Sequence, residues 1–457
     1  MPMGTTRQVA EWVATFDGER MPAVVLDRAR SAVVDTVATI LAGVEEPPSS
    51  IAAAVVAEDG CAPVATGLGT GLRTSMEGAA LLNGISGHAL DYDDVSTSAT
   101  AHASVVVVPA VLAVAEATGA TGRALLEAYV AGFEVLAKLG LAMGTEHYLR
   151  GWHATSTLGT LGAAMGAGRL LGLDADSLTD ALAIAASEAG GLRQNFGSMT
   201  KPFHAGHAAR SGVHAARLAA RGLRGDPAAL EGPAGFFAVL GLGCASPERL
   251  GPSLGNPYDL AAVGLSVKRY PCCYATHRAA DAVLELRDGH RIRPEQVEAV
   301  RVTVPAGGLA PLAHHRPLTG LEGKFSMEYV VAAALLDGCV GLDTFSDAMV
   351  RRPEVLALEE RIEVREDGSI RGVRTPVDGG YVEVAIRTAD GVRAACRVEE
   401  AAGSPGRPLS ASELEEKFRA CARGLGHERV ERALRALARL EDLPDVRTLV
   451  RDLVVNG

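Results

Sequence analysis

The stretch "VEAVRVTVPAG", Val297–Gly307, decides the fold, because a helical texture gives way there to a strand. Val300, Val302 and Val304 alternate with Arg301 and Thr303, the period of a half-buried strand. "GYVEVAIRTADGVRAACRV" (Gly380–Val398) repeats the pattern on both sides of an Asp390-Gly391 hairpin turn. Between them, "KFSMEYVVAAALLDG" (Lys324–Gly338) predicts a helix. Upstream, from Thr5 to about Gly264, helix follows helix, as in "DRARSAVVDTVATILAG" (Asp27–Gly43) and "GRALLEAYVAGFEVLAKLGLAMG" (Gly122–Gly144). Downstream of Pro408 the helices return, opened by the capping-box spacing of Ser410 and Glu413. The expected fold is mostly α: a large all-helical domain with an inserted smaller α+β domain. Its parts are 1–265, the insertion 266–405, and a helical return over 406–457.

Composition narrows the functional classes. A net charge of −11 opposes bulk attraction to nucleic acid or an anionic membrane, so neither is expected as a partner. "VVVVPAVLAVA" (Val105–Ala115) is too short to span a bilayer, and the first residues show no charged segment followed by an apolar one. A soluble, cytoplasmic protein is expected. Seven scattered cysteines without a C-x-x-C predict reduced thiols and no zinc or iron–sulfur ligand set.

Four segments concentrate reactive groups. "GHALDYDDVSTSATAH" (Gly87–His102) holds His88, Asp91, Asp93, Asp94 and His102. It fails as a calcium loop, since Val95, Ser96 and His102 occupy positions that need a ligand, a glycine and a glutamate. "RGWHATSTLGTLGAAMGAGRLLGL" (Arg150–Leu173) sets His153 ahead of a Ser/Thr-rich helix start whose free N–H groups suit an anion. In "MTKPFHAGHAARSG" (Met199–Gly212), Lys201 stands at a helix N-terminus, where its charge opposes the dipole unless an anion joins it, and His204 follows. "SVKRYPCCYATHRAAD" (Ser266–Asp281) brings Lys268, Arg269 and His277 to the junction of the two domains. Each segment also has a plain reading as a cap, a packed histidine or a wet basic face. Together, cations with histidines suit a substrate bearing two or three carboxylates. Fixed cations stabilise the negative charge of a carbanion next to a carboxylate, and neutral histidine moves protons near pH 7.

These motifs, "GHALDYDD…H", "GWHATSTLGTLGAA", "MTKPFHAGHAARSG", "VKRYPCC…TH" and "KFSMEY", resemble those of the MmgE/PrpD family over nearly the whole chain. The resemblance implies a helical domain with a smaller lid, a homodimer, and a site between the domains that uses no metal and no cofactor. It carries Asp91, His102, His153 and Lys201 over as catalytic residues and Lys268 as a pocket residue. His204, Arg269, His277 and Tyr329 complete the expected substrate contacts. The expected function is a cofactor-independent lyase on a di- or tricarboxylate, 2-methylcitrate dehydratase-like. Alternatives are an epimerase of an iminodisuccinate-like diacid, a cis-aconitate-type decarboxylase and a non-catalytic carboxylate-binding protein. Val95 and Cys273, where the decarboxylase branch has threonine and histidine, rank decarboxylation behind dehydration.

Overall fold

A computed structural model describes residues 3–370 and 379–454; the ends of the chain and residues 371–378, which the expected domain ranges include, lie outside them. Helices of ten or more residues are α1 Thr5–Ala14, α2 Ala23–Gly43, α3 Pro47–Glu58, α4 Met76–Ala89, α5 Ser104–Thr118, α6 Gly122–Met143, α7 Ala154–Leu170, α8 Ala175–Glu188, α9 Thr200–Ala219, α10 His277–Gly289, α11 Met327–Asp337, α12 Ala411–Cys421 and α13 His427–Ala438. Local chemistry starts and stops them. The Ser75 side chain accepts from Gly78 N–H at the head of α4, and Thr121 from Ala124 N–H at the head of α6. Gly119, left-handed with φ 69°, closes α5. The Ser410–Glu413 capping box opens α12.

Small side chains set the packing. α5 is buried along nearly its whole length, and α6 and α7 pack closely beside it. A Cβ at Gly132 of α6 would lie 2.6 Å from the Gly162 carbonyl of α7, so these backbones touch. The main apolar core runs from Val9 to Leu265 and takes in Phe418 to Leu453, so the C-terminal helices pack on the first helical lobe. A separate core, Tyr270 to Val398, belongs to the lid.

The short strands β1 Ala65–Thr66 and β2 Arg73–Thr74 pair within the helical lobe, and the lid holds the main sheet. Its strands are β3 Val297–Pro305, β4 Ile362–Asp367, β5 Val382–Thr388 and β6 Arg393–Val398, in the order β4-β3-β5-β6. β5 and β6 form the expected hairpin, with Gly391 at φ 93° in the turn. No alternation in the sequence marks β4. That edge strand, "IEVRED", offers only Ile362 and Val364 to the core and pairs parallel to β3 across a long connection. The wet face of the sheet carries the ion pairs Arg301–Glu363 and Arg397–Glu383, at 3.1 and 2.9 Å, which contribute little to stability. Among the described residues no single helix is long and apolar enough to cross a membrane, and all seven cysteines are free.

Candidate active site

The site forms where α4 ends against the start of α9. These two helices also meet backbone to backbone: a Cβ at Gly84 would lie 2.6 Å from Gly206 Cα. That contact brings His88, in the last turn of α4, to the level of Lys201 and His204, in the first turn of α9. Beyond α4 the chain turns sharply through Asp91, a non-glycine residue at φ 53°, in a region side chains disfavour. Val95 then pairs with Ser266 through N–H···O bonds of 2.9 and 3.0 Å, which lays the junction segment and Lys268 beside the Asp-rich stretch.

Asp91 is the centre of charge. Lys201 Nζ pairs with its Oδ1, while Lys268 Nζ lies 2.9 Å from its Oδ2 and 2.7 Å from its backbone carbonyl. Burial opposes ionisation of Asp91, yet the two ammonium groups outweigh it and hold its pKa well below the ordinary value. Burial likewise works against a charged Lys268, but Asp91 and Asp93 outweigh it and raise its pKa. Lys201 also faces the rings of Phe196 and Phe325, at 5.4 and 5.2 Å. The charge expected to arrive with a substrate is therefore already present in part. Asp91 supplies the anion that Lys201 needs at its helix N-terminus.

Asp93 organises two imidazoles. It is fully buried, with His88 Nδ1 2.9 Å from Oδ1 and His102 Nδ1 3.0 Å from Oδ2. Burial lowers the pKa of His88 to about 4 and also lowers that of His102; Asp93 opposes both shifts, and the nearby lysines add to them. Both rings are neutral at pH 7. The bond to Asp93 places the His88 proton on Nδ1, while His102 Nδ1 makes only a close approach to Asp93 and its Nε2 lies 3.8 Å from Asp91 Oδ1. His102 is fixed further by its backbone N–H, which donates to Thr155 Oγ1 at 2.9 Å, so the Ser/Thr-rich start of α7 holds the His102 loop. His153 precedes α7 as its N-cap residue without capping it; its Nδ1 lies 3.0 Å from His204 Nδ1. Burial, then Lys201, holds the His153 pKa well below the ordinary value; burial, then His88, lowers that of His204 to about 4.

Asp91, His102, His153 and Lys201 line one cavity, closed on the lid side by Cys273, Tyr274, Pro311 and Phe325. The other candidates stand elsewhere. Lys268 lies behind Asp91, and His204 behind His153. Arg269 is a correction: it is exposed, its guanidinium is 5.8 Å from the Tyr270 ring, and it is not among the lining residues. His277 is a second correction. It is buried between Tyr270 and Tyr274 with Nε2 3.3 Å from the Cys272 carbonyl, and burial lowers its pKa to about 3, so it is no cation. Tyr329 is a third: it lies in the lid core and donates its hydroxyl to the Thr344 carbonyl. No role for His88 or Asp93 is legible in the sequence, because their spacing of five residues straddles a helix end, and none is legible for Phe196 and Phe325.

His88, Asp91, Asp93 and His102 each bring a possible ligand atom within 4.8 Å of the others. The fit to a divalent ion is poor, because both oxygens of Asp91 face ammonium groups that would repel it.

Residues 7–245 match the MmgE/PrpD N-terminal domain and residues 270–442 the MmgE/PrpD C-terminal domain. The chain is similar to the cis-aconitate decarboxylase of Homo sapiens, at 32% identity over 81% of this chain and 78% of that protein. A cis-aconitate decarboxylase-like protein of Aspergillus oryzae is 29% identical over 97% and 96% of the two chains, and the cis-aconitate decarboxylase of Aspergillus terreus 28% over 79% and 78%. On both domains and their full extent, the chain belongs to the MmgE/PrpD family.

Proposed function

We propose that the protein is a lyase on a small polycarboxylate, working without a resident metal or organic cofactor. The observation that carries this reading is the cavity that joins neutral His102 and His153 to the Lys201–Asp91–Lys268 ion cluster. A substrate carboxylate docks against Lys201, and the cluster stabilises negative charge building on the neighbouring carbon. His102, oriented by Asp93, takes the proton from that carbon through Nε2. His153 delivers a proton to the leaving hydroxyl, so water departs and a double bond forms. Burial is the larger cause of the depressed His153 pKa and Lys201 the second; a polycarboxylate bound beside Lys201 offsets the second and so favours the protonated ring.

The second reading is decarboxylation, and the names of the relatives favour it. There the C–CO2 bond breaks, CO2 leaves, and one imidazole protonates the carbon that receives the electron pair. Proton NMR on citrate, 2-methylcitrate, cis-aconitate and iminodisuccinate, with CO2 detection, separates the readings. Alkene formation without CO2 supports water loss, and CO2 release supports decarboxylation. Exchange of the α-proton into solvent deuterium with no alkene would make the protein an epimerase and overturn both.

A further inference from the structure

Three consecutive carbonyls around Asp91 are each held by a different buried lysine. Lys324 Nζ donates to the Leu90 carbonyl at 2.8 Å, Lys268 Nζ to that of Asp91 at 2.7 Å, and Lys417 Nζ to that of Tyr92 at 2.8 Å. The outer two lysines also tie this turn to its neighbours. Lys324 donates to the Pro271 carbonyl and Lys417 to the Lys268 carbonyl, both at 2.8 Å. The three come from separate parts of the chain: Lys268 from the junction, Lys324 from the lid and Lys417 from α12. Their relative exposures are 0%, 4% and 6%.

Burying an ammonium group on neutral carbonyls is unfavourable unless its position is needed. Lys417 has Asp35 as a counter-ion at 2.6 Å, but among the described residues Lys324 makes no ion pair. What both lysines share is the segment they grip, whose middle residue adopts the disfavoured φ of 53°. Strained backbone persists only where its surroundings over-determine it. Without the outer clamps, Asp91 is free to relax toward an ordinary φ, which would turn its carboxylate away from Lys201.

We propose that Lys324 and Lys417 are positioning residues, which act through the Leu90 and Tyr92 carbonyls to hold Asp91 in its left-handed conformation between Lys201 and Lys268. Lys324 reaches from the lid to the helical lobe, so one of the three clamps on the Asp91 turn is supplied by the lid. The assignment rests on the reading of Asp91 as part of the reacting site, but its geometry is testable without turnover.

The test uses the full chain with Lys324→Met, and separately Lys417→Met combined with Asp35→Asn, which avoids stranding a buried carboxylate. Amide hydrogen exchange is followed at residues 88–95, where Asp91 N–H is bonded to His88 and Val95 N–H to Ser266. Loss of hydrogen bonds from a charged donor predicts exchange there faster by about 10- to 100-fold, with α6 still protected. On whichever polycarboxylate the wild type turns over, kcat is expected to fall more than KM rises. If Lys324→Met does not fold, the double variant decides. Unchanged exchange at 88–95 in a folded variant overturns the proposal, and so does a uniform rise across the chain with kcat retained. If the wild type turns over none of the four polycarboxylates, the lyase reading fails, and the exchange data alone judge the clamp.

Discussion

Lys268 holds Asp91 at two points, with Nζ 2.7 Å from the backbone carbonyl and 2.9 Å from Oδ2. Removing one partner of a buried pair leaves an uncompensated charge or an unfilled site, typically at about 3–5 kcal/mol. Lys268→Met is therefore expected to destabilise the protein by an amount in that range. Lys201→Met is expected to destabilise it too, since Asp91 already relieves the repulsion between Lys201 and the helix dipole. Urea unfolding measures both. A Lys201→Met variant as stable as the wild type would mean that its pair with Asp91 contributes nothing.

His102→Ala and His153→Ala are each expected to lower kcat by about 10²–10⁴-fold, the range for general acid–base groups. Circular dichroism should show the folded state intact. Near wild-type turnover in either variant would make that imidazole a packing group.

Because burial lowers the pKa of His102, the base in this reading, the acid limb of kcat/KM should lie below pH 6.5. The base must be neutral in the free enzyme, so activity persists as pH falls through 6.5 and is lost only when the depressed value is reached. A midpoint at or above 6.5 in a pH–rate profile would contradict the assignment.

Asp94 gives a stability test with a definite sign. Burial first, then the charge of Asp35, pushes its carboxyl from 3.8 up to about 8. Between those limits the folded protein holds a proton that the unfolded chain has released. This contribution therefore weakens stability as pH rises, by about 1.4 kcal/mol per unit. Asp94→Asn removes that slope. The stability of the variant relative to wild type should climb between pH 5 and 8 and level off above; a flat difference would place the Asp94 pKa near its ordinary value.

Dialysis against EDTA is expected to leave turnover unchanged, since two ammonium groups face the carboxylate that a divalent ion would need. Loss of activity restored by a divalent ion would show that the His88–Asp91–Asp93–His102 quartet is a metal centre.

Helix-to-strand texture was legible because side-chain period reports directly on a buried face, as at Val300, Val302 and Val304. β4 was not, because its two apolar residues, Ile362 and Val364, are too few to mark an alternation among charged ones. In the site, histidine and lysine in unusual company were visible in the chain. Their partners were not, since the Lys201–Asp91 contact spans 110 positions. Arg269 and His277 misled because proximity in sequence to Lys268 says nothing about which side of the backbone a side chain takes, and Tyr329 because a family motif can serve the lid core, where its hydroxyl meets the Thr344 carbonyl.

The contact of Gly84 with Gly206 sets a tolerance for the whole site. The gap between the helix whose last turn holds His88 and the helix that begins near Lys201 is fixed by atoms that glycine lacks. Enlarging either residue by a single methyl would act as a shim, spreading the two helices without touching any reactive group. The chemistry would then be lost through dimension alone, at positions that carry no charge and no proton.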